Sequence, residues 1–103
     1  MGIGWEVVSR CELMMDYNEE LFTILMEECA EVIQACSKIK RFGLETEYKG
    51  MTARERLERE LGDLYCMIDL LHQADIISYT KLDEYSDEKY EKLKKWSNLV
   101  YED

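Results

Sequence analysis

Proline is absent from all 103 residues, glycine occurs five times and histidine once, at His72. Without proline nothing in the chain forbids long uninterrupted helices. With a single histidine the chain lacks the ligands for a di-iron bundle built on Glu-x-x-His pairs. No apolar run approaches the ~20 residues of a spanning helix, and the start "MGIGWEVV" lacks a basic stretch followed by an apolar signal region. A soluble, cytoplasmic protein is expected. Position 6 holds Glu6, where an N-myristoylation signal wants Ser or Thr, so no lipid anchor is expected.

Positive charge is scarce too: 13 Lys and Arg stand against 23 Asp and Glu, for a net charge of −10. Such a surface repels nucleic-acid backbones and anionic membranes, and neither is expected as a partner. A small polyanion that arrives with metal ions is not excluded. The four cysteines, Cys11, Cys29, Cys36 and Cys66, show neither zinc-site spacing nor the density of a disulfide scaffold, and read as buried reduced thiols. With 47% hydrophobic residues and no shift in composition, residues 1–103 read as one domain, small enough to gain from oligomerisation.

What is present is helical spacing almost throughout, which predicts an all-α fold: an antiparallel bundle of three to four helices. The opening "GWEVVSRCELMM" reads as a first helix. A stronger one is expected from Asn18 as N-cap to a stop at Lys38, Lys40, Arg41 and Gly43. "FGLETEYKGM", Phe42 to Met51, reads as a loop. Thr52 and Glu55 form a capping box that opens a helix running to about His72 or Ala74, and a last helix is expected to start near Ser86.

Within "TILMEECAEVIQACSKIKRFG", Leu21, Ile24, Leu25, Val32, Ala35, Cys36 and Ile39 fall on one broad face, and Glu28 projects from its centre. Glu31 flanks that stripe and Glu27 lies further round. A buried carboxylate costs several kcal/mol without a compensating cation or hydrogen bonds. The next helix repeats the anomaly: Glu60 and Asp63, one turn apart, border a face bearing Leu57, Leu61, Leu64, Met67, Ile68 and Leu71. Either pair alone is usually a solvated helix face in so acidic a chain. Together they can meet in an antiparallel hairpin, since Glu28 stands about 21 Å of helix from the loop, Glu60 about 10 Å, and ten loop residues reach up to about 33 Å. Four converging carboxylates need a hard divalent cation, Mg2+ or in its place Mn2+, itself able to carry phosphates.

At "EECAE" and "ELGD" the sequence resembles the MazG-like, all-α nucleoside triphosphate pyrophosphatase superfamily, whose pattern is EExxE, a spacer and ExxD. The likeness runs from about Leu21 to Leu71. It implies that Glu28, Glu31, Glu60 and Asp63 hold metal, with Glu27 near a water. It also implies that a nucleoside triphosphate is hydrolysed between its α and β phosphates with Mg2+, by a homodimer or homotetramer. Many relatives also carry an asparagine, a lysine three on and an arginine four beyond. "KYEKLKKW" puts Lys89, Lys92 and Trp96 there, so only Lys92 matches.

Glu27 or Glu31 is the expected catalytic base, and Lys38 and Lys92 the expected substrate contacts, with Lys49 and Arg56 as further cations for phosphate. Two other readings compete. One is a phosphoribosyl-ATP pyrophosphatase of the same fold; the other is a non-catalytic acidic helical module that binds a partner helix.

Overall fold

The computed structural model describes the backbone of residues 2–100 and the side chains of residues 16–100. The chain is all-α as expected, 78% helical. Its elements are helix α1 (Gly2–Phe42), strands β1 (Glu47–Tyr48) and β2 (Met51–Thr52), helix α2 (Ala53–Gln73) and helix α3 (Tyr79–Trp96). They fall into two compact units, Met1–Leu70 and Leu71–Asp103.

In the first unit α1 passes straight through Asn18. Asn18 was expected to begin a helix, but an N-cap residue acts as one only where the preceding backbone leaves helical angles. Nothing nearby forces that here, and an interior asparagine costs only a fraction of a kcal/mol. The helix ends where expected: Gly43 takes φ 93° and its N–H donates to the Ile39 carbonyl at 2.8 Å, a left-handed cap that L-residues adopt with strain. Lys40 and Arg41 occupy the last turn, where the helix dipole favours cations.

The expected loop contains a hairpin. Glu47 pairs with Thr52 and Tyr48 with Met51 around a two-residue turn, Lys49 and Gly50, both at positive φ (53° and 80°). Positive φ at both central positions gives the turn the twist that antiparallel strands require. The Ala53 N–H donates to the Thr46 carbonyl at 3.0 Å and the Arg54 N–H to the Leu44 carbonyl at 2.9 Å, so the hairpin is tied to the start of α2. The capping box is present: the Glu55 N–H donates to Thr52 Oγ1 at 3.1 Å and the Thr52 N–H to Glu55 Oε1 at 3.3 Å.

Down α1 and up α2, Lys38 faces Arg56, Glu31 faces Glu60, and Glu28 faces Asp63. That order makes the two helices antiparallel within this unit. Leu21, Ala35 and Met67 are its buried apolar residues, with Ile24, Leu25, Val32, Ile39, Leu57, Leu64 and Ile68 half-buried. Cys29, Cys36 and Cys66 are free and exposed, which corrects the expectation of buried thiols; Cys11 lies outside the described side chains. The reason is angular. Cys29 and Cys36 each follow a seam residue, Glu28 or Ala35, and the roughly 100° step per residue carries them off the face that α2 covers. Leu61 is exposed as well, beside Glu60.

In the second unit α3 begins at Tyr79, earlier than expected, with Ser78 as N-cap and Ser86 well inside the helix. The turn before it is closed by the Ile76 N–H donating to the Leu71 carbonyl at 3.0 Å, and His72 stacks on Tyr79 with ring centroids 4.4 Å apart. Among the described residues no helix is long and apolar enough to cross a membrane.

Replacing Thr52 by Ala removes the acceptor for the first-turn N–H while leaving the hairpin ladder intact. Urea unfolding of T52A should show a loss of about 1 kcal/mol.

Candidate metal centre

Glu28 enters the seam from α1, and Glu60 and Asp63, at i and i+3, enter from α2. Each of the three offers a carboxylate oxygen, and the three oxygens lie within 4.8 Å of one another. Glu28 and Glu60 are half-buried. In each, the Oε2 atom is shut off from solvent and has no hydrogen-bond partner.

Both carboxyls hold their protons more tightly than an ordinary glutamate. For Glu28 the largest cause is desolvation, followed by the charges of Asp63, Glu31 and Glu27. For Glu60 it is again desolvation, followed by a hydrogen bond to Glu31 and the charges of Glu31, Asp63 and Glu28. Among the described residues the ion pairs are Arg54–Glu45, Lys81–Glu84 and Lys94–Glu91, and none of them includes Glu28, Glu31, Glu60 or Asp63.

A divalent cation fits this arrangement. Oxygens on opposite sides of an ion bound at about 2.1 to 2.4 Å lie about 4.2 to 4.8 Å apart, so the observed spread closes around one hard ion with little side-chain movement. The oxygen-only donor set suits Mg2+ or Mn2+ over softer metals. The two orphaned oxygens are the observation that calls for it, since buried polar atoms rarely lack a partner.

The structure brings together Glu28, Glu60 and Asp63 directly, and places exposed Glu31 beside Glu60 in the lining of one small cavity. Glu27 is exposed, one residue from Glu28 and near enough to act on its charge. Lys38 lines a small cavity of about 70 Å3 with Glu31, Gln34, Arg56 and Glu60, so it stands beside the acids. Lys92 lies on α3 in the second unit, exposed. Gln34 is the lining residue that sequence reasoning passed over. Its position three after Glu31 and four before Lys38 places it on the same face, a signal the charged residues obscured.

The family model of the MazG nucleotide pyrophosphohydrolase domain matches residues 17–100. None of the curated proteins and none of the solved structures matches the chain.

The raised proton affinities fix a pH dependence. A carboxyl that holds its proton more tightly folded than unfolded stabilises the fold below the ordinary value of 4.5, and that contribution is lost as pH rises through the elevated folded value. The melting temperature of the metal-free protein should therefore rise as pH is lowered from neutral toward 4.5. The rise should shrink in Glu28→Gln, and divalent metal added at neutral pH should stabilise the wild type more than that variant.

Proposed function

This chain belongs to the MazG nucleotide pyrophosphohydrolase family, and we propose that it hydrolyses a nucleoside or deoxynucleoside triphosphate between the α and β phosphates, giving the monophosphate and pyrophosphate. Family membership implies nucleotide pyrophosphohydrolase activity and a divalent metal. The observation that carries the proposal is the pair of buried, unpartnered oxygens of Glu28 and Glu60 in a cluster with Asp63.

In this reading Glu28, Glu31, Glu60 and Asp63 hold Mg2+, with Mn2+ as a substitute. Bound there, the ion would supply charge neutralisation for the phosphate oxygens and activation of a nearby water. An ion held there would supply the counter-charge that Glu28 and Glu60 lack. Glu31 and Glu27 grade from the seam toward solvent, and either can accept the proton of the attacking water, because general-base work needs a carboxylate in reach of water and not fully spent as a ligand. Lys38 and Lys92 contact phosphates, and the free guanidinium of Arg56 opposite Lys38 suits the same task.

Residues 1–103 act as one catalytic domain that assembles as a homodimer or homotetramer. Exposed Met26, Ile33 and Tyr65 on the first unit support assembly, because large apolar groups at the surface favour a partner. The exposed free thiols of Cys29, Cys36 and Cys66 fit the reducing cytoplasm.

Pyrophosphate release from a panel of ribo- and deoxyribonucleoside triphosphates, with Mg2+ and with EDTA, tests the proposal. Metal-dependent cleavage to monophosphate is the expected result. Glu60→Gln should fold with unchanged or higher melting temperature and lose at least about 100-fold in turnover, the upper end for losing even an outer-shell partner of a metal ligand. Failure of the wild type to release pyrophosphate from every member would overturn it, and cleavage of phosphoribosyl-ATP alone would favour the competing pyrophosphatase.

A further inference from the structure

A second, larger cavity of about 450 Å3 adjoins the small one beside the acids and shares Ala35, Lys38 and Arg56 with it. Its far wall is formed by Phe42 at the end of α1 and by Tyr48 and Met51 on the hairpin. The volume falls among those of small-molecule sites, and the make-up is theirs too: mainly carbon, with a few polar groups at defined places. From this cavity we infer that the hairpin is the base-binding wall of the protein. An aromatic base lies against Tyr48, Phe42 and Met51, and its phosphates pass between Lys38 and Arg56 toward the acids. The inference rests on the pyrophosphohydrolase reading for the identity of the phosphate end, and on the cavity for the base end.

The cavity is polar along its length in a way that sets this orientation. Lys38 on α1 and Arg56 on α2 stand at its junction with the acid seam, and among the described residues neither forms an ion pair. Two unpaired cations on facing helices are a site for an anion. Toward the hairpin the lining is Phe42, Thr46, Glu47, Tyr48 and Met51, with no cation among them, which leaves that end to the uncharged ring. On α1 Lys38 is two turns from Glu31, about 10 Å of rise, so an anion leaving the cavity past Lys38 runs along the seam toward Glu31 and Glu60.

The wall is preformed. Positive φ at Lys49 and Gly50 fixes the turn, the Thr46 hydroxyl donates to the Phe42 carbonyl, and the Thr46 and Leu44 carbonyls accept from the first amides of α2. Tyr48 is 62% exposed, with the Lys49 ammonium 5.3 Å from the centroid of its ring. A flat exposed ring beside carbon-rich walls suits stacking, which is tolerant of which base stacks because every base has a π-face.

The test uses nucleoside monophosphates without metal, so that it does not depend on turnover. Adenosine, guanosine, cytidine, uridine and thymidine monophosphates are titrated into the full chain while backbone amide resonances are followed. At least one should shift the amides of Thr46, Tyr48 and Met51 saturably. Tyr48→Ala should weaken that binding at least about fivefold, and Tyr48→Phe, which keeps the ring, should restore it. Shifts absent from the hairpin, or equal affinity in a folded Tyr48→Ala, would overturn the inference. So would hairpin shifts that follow protein concentration alone, since these assign the cavity to a second copy. Hairpin binding without any pyrophosphate release sinks the hydrolysis reading and leaves the base wall standing; release with a silent hairpin does the reverse.

Discussion

The meeting of carboxylates from two antiparallel helices, half-buried Glu28 and Glu60 with exposed Glu31 and Asp63 beside them, is the constraint on which the rest of the first unit depends. Charge repulsion among Glu28, Glu31, Glu60 and Asp63 is part of it, but desolvation comes first for both Glu28 and Glu60. Removing water from a carboxylate without supplying a partner leaves two outcomes, protonation or a cation. The buried apolar residues described in this unit are few, Leu21, Ala35 and Met67. Each stabilises by roughly 1 to 3 kcal/mol at most. A seam with so little carbon cannot absorb several unpaired charges easily, and an ion bound there would act as part of the fold as well as of the chemistry.

The acids were legible in the sequence because helical geometry is rigid. An i, i+3 pair set in or beside an apolar stripe has few places to point, so Glu28 with Glu31 and Glu60 with Asp63 reveal their face without any tertiary knowledge. The Gly43 stop and the Thr52–Glu55 box were legible for a similar reason, each being a local hydrogen-bond device within one turn. Devices of the same kind misled at Asn18 and Ser86. Both are followed by acidic residues that suit a first turn, and both lie inside helices. The true start of α3, Ser78, is followed by Tyr79, Thr80 and Lys81, with no acid in its first turn to announce it. A cap residue marks a permitted start, and only the backbone before it decides whether the start is used.

Other features were out of reach because they depend on what covers a face. Cys36 sits at the edge of the apolar stripe, and a stripe drawn from periodicity alone is wider than the strip a partner helix covers, so the thiol reads as buried and is exposed. The hairpin escaped because a ladder of two residues per strand is too short to show alternation. Its turn residues Lys49 and Gly50 lack the Asn or Asp that usually flags a two-residue turn, and lysine enters positive φ only where the surroundings hold it. Sequence spacing therefore located the acids and left open the wall beside them.

That wall is also what brings the acids into register. Glu28 lies about 21 Å of helix rise before the end of α1, while Glu60 lies about 10 Å beyond the start of α2. A tight turn between the helices would leave them out of step by about the difference. Instead the segment 43–52 folds back on itself and takes up the offset, held by the left-handed Gly43, the Lys49–Gly50 turn and the hydrogen bonds of Thr46 and Leu44 to α2. The same fold-back lays Tyr48 and Met51 beside Lys38 and Arg56. Aligning the two acidic pairs and building a carbon-rich cavity next to them are thus one structural event, and the order along the seam follows from it: ring-sized cavity, cations, acids.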